Sequence, residues 1–217
     1  MSRIFLILAL FTIFIVGTTS FFEKKNSQSA LNHPYLRSYE SSKNVAILEY
    51  VNVHDDFTKG INFNLWEVLD REESFNNELQ YYVSENVEAN GGVLHLTGKR
   101  EEKGSKNYTS GLVHTKSNFP ILYGHIKVKA KFPTGKGLFP AIWLAPIASD
   151  DYLPEIDIME VLGDYPYKIY FVHHYRKVDG TIRSVFDTAK IMDYETFHTY
   201  ELIWTKDKLE WLVNGIT

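Results

Sequence analysis

From Val45 onward, apolar and polar residues alternate with a period of two, the spacing of a strand whose side chains point to opposite faces. The clearest run is His125-Ile126-Lys127-Val128-Lys129-Ala130-Lys131-Phe132. Ile126, Val128, Ala130 and Phe132 are expected on a buried face, with His125 and the three lysines on the wet one. Val93-Leu94-His95-Leu96-Thr97 predicts another strand, entered by the turn Asn90-Gly91-Gly92. Tyr200–Trp204 and Lys208–Val213 flank Lys206-Asp207 and read as a hairpin. No stretch carries sustained helical periodicity with caps. Many short strands separated by Gly, Asn and Asp turns predict an all-β sandwich. Leu209, Trp211 and Val213 form one face of a strand that stops at Asn214-Gly215, a strong signal for a two-residue hairpin turn. Such a turn needs a returning strand and only Ile216 and Thr217 follow it, so the domain is expected to be truncated at this end.

The first residues carry a different pattern. Arg3 precedes an apolar run from Ile4 to Val16, and Gly17, Thr18, Thr19 and Ser20 follow. A positive start, an apolar stretch and small residues predict a secretory signal peptide over 1–20. The run is too short for a comfortable membrane span. It carries no A-x-A cleavage motif, so an uncleaved signal anchor stays open as the alternative. Residues 21–44 are polar and irregular and read as a linker. The domain is expected over 45–217, in a secreted, monomeric protein.

Composition narrows the partners. The chain has 217 residues, 44% of them hydrophobic and 23% charged, enough for one domain with a real core. Its net charge of -4 argues against a phosphate backbone as partner. No cysteine is present, which excludes disulfides and thiolate zinc sites. Aromatics make up 15%. That suits β-strands, and it also suits sugar binding, because flat rings stack on the apolar faces of pyranoses.

Candidate chemistry is concentrated in Pro154-Glu155-Ile156-Asp157-Ile158-Met159-Glu160. Glu155 and Asp157 share one face of a strand, while Ile156 and Ile158 take the other. Unbroken alternation would put Glu160 on the core side and bury its charge at prohibitive cost. A β-bulge at Ile158-Met159 resets the alternation and returns Glu160 to the acidic face. Three crowded carboxyls resist joint ionisation, so one keeps a proton near neutral pH while another stays charged. A retaining glycosidase needs that division of labour. From the pattern alone, an acidic, solvent-facing strand edge is an equal reading.

The segment Glu-Ile-Asp-Ile-Met-Glu resembles the signature of glycoside hydrolase family 16. Other segments match the family in order and spacing: Asn76-Asn77-Glu78-Leu79-Gln80-Tyr81-Tyr82, Tyr108–Gly111, Tyr123–His125, Gly135–Trp143, Phe197–Glu201 and Trp204. The resemblance implies a jelly-roll β-sandwich of two antiparallel sheets, with a substrate cleft on the concave face. It implies Glu155 as nucleophile, Glu160 as general acid/base and Asp157 as the residue tuning the nucleophile. The extra Met159 is similar to the bulged, laminarinase-type branch. Trp143 matches a tryptophan of the cleft floor. Asn76 and Asn77 fall in the early cleft segment, where sugar hydrogen bonding and a plain turn are equal readings. Of His173-His174, His174 is more similar to the family's cleft histidine. The expected substrate is a β-1,3- or mixed β-1,3(1,4)-glucan. The alternatives are another polysaccharide such as a galactan, a transglycosylase, or a non-catalytic glucan-binding protein on the same fold. No cofactor is expected and no catalytic metal. The family often carries a structural calcium, but its C-terminal ligands are not visible in this chain.

Overall fold

A computed structural model describes backbone strands at 4–10, 14–20, 37–40 and 46–49, and residues 52–73, 77–115, 119, 121–146 and 153–217 in full. The strands are β1 (Ile4–Leu10), β2 (Phe14–Ser20), β3 (Arg37–Glu40), β4 (Ala46–Glu49), β5 (Val53–Asp55) and β6 (Glu67–Val68). They continue as β7 (Gln80–Tyr82), β8 (Val87–Asn90), β9 (Val93–Leu96), β10 (Tyr108–His114), β11 (Gly124–Lys131) and β12 (Ala141–Pro146). The last five are β13 (Glu155–Val161), β14 (Lys168–Arg176), β15 (Ile182–Lys190), β16 (His198–Trp204) and β17 (Leu209–Val213). Among the described residues, helix is confined to one 3-10 turn at Ser84–Asn86.

Two large sheets result. The first runs β15-β14-β13-β12-β1-β10-β6, with β7 added in parallel along β10. The second runs β17-β16-β11-β2-β9-β8, with β5 added along β2. The apolar stretches Ile4–Leu10 and Phe14–Ser20, read in the sequence as part of a signal segment, are here strands inside the two sheets. Arg37–Glu40, within the stretch read as a linker, pairs with Ala46–Glu49 as a separate two-stranded sheet.

The main core lies between the two sheets. Leu94 and Leu96 of β9, Ile126, Val128 and Ala130 of β11, Ile142 and Leu144 of β12, and Tyr200 and Leu202 of β16 all enter it. Fully burying an aliphatic side chain of this size contributes about 1.5–3 kcal/mol, so the alternation written in each strand decides which face turns inward. β11 has the expected form, with Ile126, Val128 and Ala130 buried and Lys129 exposed. On its outer side, His125 Nε2 and Lys127 Nζ each lie 2.8 Å from Oε2 of the buried Glu201 on β16. Burial pushes the Glu201 carboxyl up, but bonds from Lys127 and His125 outweigh it and hold the group below its ordinary value.

The hairpin between β16 and β17 closes through Thr205 N–H donating to Lys208 O at 2.9 Å. The Asn214-Gly215 turn also forms. Both residues have positive φ, 54° and 78°, as a type I′ turn requires. Val213 and Ile216 exchange backbone hydrogen bonds across it. Beyond β15 and β17 a groove lined by Phe171, Val185, Ile191, Trp211 and Ile216 opens along the flank of the sandwich.

Candidate active site

The acidic strand β13 lies between β12 and β14 in the first sheet. Its pairing shows where the alternation resets. On the β12 side, Ile142 pairs with Met159 but Trp143 pairs with Asp157, which leaves Ile158 extra. On the β14 side, Asp157 pairs with Val172 and Glu160 with Tyr170, so Ile158 and Met159 together face Phe171. That is the expected bulge. Ile156, Ile158, Met159 and Val161 all enter the core. Two consecutive core-facing residues are what return Glu160 to the face shared by Glu155 and Asp157.

The cross-strand register arranges what surrounds these three. Trp143 stands beside Asp157, His174 beside Glu155, and Ala141 and Tyr170 beside Glu160. Trp143 belongs to a second apolar cluster with Tyr82, Leu112, Ala141 and Ala145, separate from the main core. Alternation along β12 puts Ala141, Trp143 and Ala145 on the carboxylate face, with Ile142 and Leu144 on the core face. This places Trp143 on the floor of the acidic face. His173 pairs with Ile156, on the opposite face, and stacks on Tyr175 at 5.1 Å. His174 is therefore the histidine that meets the carboxyls. Its Nε2 lies 3.5 Å from Asp157 Oδ2 and 3.8 Å from Glu155 Oε1. Its Nδ1 shares a 2.6 Å hydrogen bond with Ser184 Oγ.

Burial governs the protonation of the site. It pushes the Glu155 carboxyl up to about 7. Burial and then the charge of Glu155 push Glu160 up to about 7 as well. Asp157, only 2% exposed, is pushed highest, to about 10, by burial and then by the charges of Glu160 and Glu155. Its Oδ2 is buried and accepts no hydrogen bond among the described residues. Repulsion among the three carboxyls is mutual, so they cannot all ionise together near neutral pH. Asp157, pushed highest, keeps its proton longest, and the two glutamates share the first ionisation as a pair. Burial lowers the His174 pKa and favours its neutral ring. Among the described residues, Glu155, Asp157 and His174 are the one set with ligand atoms within 4.8 Å of one another, as a divalent cation would need.

Asn77 sits in an exposed turn with φ of 59°, the left-handed region that asparagine tolerates, which suits the turn reading. Asn76 lies outside the described residues. Three neighbours escaped the sequence reading. Ser184 anchors His174, Tyr170 flanks Glu160, and Phe186 extends a row Trp143–Asp157–Val172–Phe186 across the sheet. Phe186 is 66% exposed on the carboxylate face. Alternation alone could have proposed a face for each, but only the register assigns the row.

Comparison with known proteins identifies the family. A family model described as glycosyl hydrolases family 16 matches residues 74–217. A beta-glucanase of Rhodothermus marinus is 34% identical over 152 residues, which is 64% of this chain and 52% of that protein. The endo-1,3-1,4-beta-glycanase ExsH of Rhizobium meliloti is 31% identical over 153 residues, 64% of this chain and 32% of that protein. The chain thus spans from about a third to about half of the length of these relatives. The X-ray structure of the laminarinase from Rhodothermus marinus superposes with a TM-score of 0.66 at 30% identity, covering 74% of this chain and 70% of that one.

Proposed function

From a chain that belongs to glycosyl hydrolases family 16, we propose that the acidic face of β13 is the catalytic face of a retaining endo-β-glucanase acting on β-1,3- or mixed β-1,3(1,4)-glucan. The observation that carries this reading is the bulged strand with Glu155, Asp157 and Glu160 on one face. The Glu155 carboxylate attacks the anomeric carbon, and the bond from that carbon to the bridging oxygen breaks. Glu160 gives its proton to the departing oxygen. A water molecule then loses a proton to Glu160 and attacks the same carbon, which releases Glu155 and restores the original configuration. Protonated Asp157 adds no second negative charge beside the nucleophile. His174, held by Ser184, offers a neutral ring to Asp157 and Glu155. Trp143 supplies a flat apolar surface for a sugar ring.

The presence of both glutamates favours catalysis over glucan binding alone. Among the similar proteins are both a beta-1,3-glucan-binding protein of Penaeus monodon, 30% identical over 132 residues, and a keratan-sulfate endo-1,4-beta-galactosidase of Sphingobacterium multivorum, 26% identical over 113. The deciding experiment is an assay on laminarin, barley β-glucan and agarose, with the anomer of the first product followed by NMR. Retained β-oligosaccharides from either glucan support the reading. Products from agarose alone, or no products with measurable glucan binding, overturn it. Export is part of the proposal, on the pattern of Arg3 and Ile4–Val16. A mature mass short of the first twenty or so residues supports it. A full-length mass would leave β1 and β2 in place and overturn signal cleavage.

A further inference from the structure

The bulge that returns Glu160 to the acidic face is gripped from the opposite sheet. Trp211 lies on β17, the edge strand of the second sheet, whereas the carboxylates stand on the first. Its indole Nε1–H donates to the Asp157 carbonyl oxygen at 2.8 Å. Its ring stacks on Phe171, with centroids 6.1 Å apart and planes 20° from parallel. Neither contact falls at an arbitrary place. Asp157 is the last residue in register before the bulge, and Phe171 is the residue of β14 that faces the two extra residues, Ile158 and Met159. One side chain therefore touches both strands at the point where their register slips.

Bulges bend a strand and increase its local twist, and they leave backbone groups out of the regular ladder. The bend depends on which way the Asp157 peptide is turned. A hydrogen bond to that carbonyl from outside the sheet selects one orientation. Glu155 and Asp157 lie before the disturbed peptides and Glu160 after them, so the same orientation sets the spacing between nucleophile and acid. A displacement of about 1 Å in such a pair costs about a hundredfold in rate. The hydrogen bond from Trp211 falls on the Asp157 backbone, so its influence runs through the strand.

We propose that Trp211 is a positioning residue, which holds the Asp157 carbonyl so that the bulge keeps Glu155 and Glu160 at a working separation. The proposal rests on the glucanase reading above for its consequence in rate, and on the hydrogen bond alone for its consequence in geometry. Two variants of the full chain separate the indole N–H from the bulk of the ring. Trp211→Phe keeps an aromatic ring against Phe171 and removes the donor. Replacement of Trp211 by β-(3-benzothienyl)alanine keeps the bicyclic shape and puts sulfur where the N–H was.

In both variants kcat on β-glucan should fall by about ten- to a hundredfold, with KM within about twofold, since the sugar-facing surface is unchanged. The two carboxyl midpoints of Glu155 and Glu160, followed by NMR of protein labelled at the glutamate carboxyl carbon, should shift relative to wild type, because the coupling between the two charges depends on their separation. Unchanged kcat together with unchanged midpoints in the benzothienyl variant would overturn the proposal, whatever happens to thermal stability. If the wild type cleaves no glucan, the functional reading fails, and the midpoints still decide the role of Trp211. A shift confined to Trp211→Phe would also count against it, since that result assigns the effect to ring packing.

Discussion

Burial gives Glu155 and Glu160 the protons that the proposed mechanism uses, and it also gives them a stability cost. Each has a folded pKa of about 7 against an ordinary 4.5. Between those values the unfolded chain has released protons that the folded one still holds, so stability falls as pH rises from about 4.5 through 7. Asp157 extends the same slope upward, since its carboxyl is raised from 3.8 to about 10. The melting temperature should therefore be higher at pH 5 than at pH 8. Glu155→Gln and Glu160→Gln should flatten that slope and melt above wild type at pH 8. Each should also lose several orders of magnitude in kcat, because each removes a distinct role. Azide should rescue Glu155→Ala to a glycosyl azide of inverted configuration. Differential scanning calorimetry across pH and a reducing-sugar assay check the two effects separately. Near-wild-type activity in either glutamine variant would remove that residue from the mechanism.

At the scale of the strand, β13 is a count of residues as much as a set of side chains. Met159 is fully buried, so Met159→Ala leaves a cavity and should cost about 2–5 kcal/mol in a denaturant melt. The register is kept, so activity should survive in the folded fraction. Deletion of Met159 is the sharper test. It yields plain alternation, with all three acids on one face and Ile156 and Ile158 in the core. A folded protein with reduced but measurable activity is expected, and an unfolded one would refute the register argument. The C-terminal end of β13 is fixed differently. A Cβ added at Gly163 would stand 2.1 Å from Gly135 O and 2.9 Å from Leu138 Cβ. Gly135 N–H in turn donates to Gly163 O at 3.0 Å. Gly163→Ala must push the 135–138 loop away, and a loss of more than about 1 kcal/mol is expected from such overpacking. An unchanged melting curve would show that the loop yields freely.

Across the whole sheet, the row Trp143–Asp157–Val172–Phe186 runs perpendicular to the strands. Strands lie about 4.8 Å apart, so Phe186 is about 10 Å from β13, on the same face and exposed. A glucan chain lying along the row would meet Trp143 near the point of cleavage and Phe186 about two sugars away. Phe186→Ala should therefore raise KM for laminarin severalfold, the loss of one aromatic platform, and leave kcat close to wild type. The shortest cleavable oligosaccharides should be less affected. Equal effects on short and long substrates, seen by product-resolved kinetics, would remove Phe186 from the substrate path.

The sequence alone determined the class of the fold and the identity of the acidic triad. Both are local: period-two alternation in runs such as Ile126 to Phe132, and the one-residue excess at Ile158-Met159 that a buried Glu160 would otherwise contradict. The turn at Asn214-Gly215 was equally legible, because positive φ at both positions depends on the two residues themselves. The tertiary structure decided everything that depends on register between distant strands. It chose His174 over His173 by setting His174 against Glu155. It brought Ser184, Tyr170 and Phe186 to the acidic face, and it carried the Trp211 indole across the core to the Asp157 carbonyl. Alternation states which residues of one strand share a face, but not which strand comes next or how far it has slid. Those are settled by packing two sheets over one core, a property of the chain as a whole.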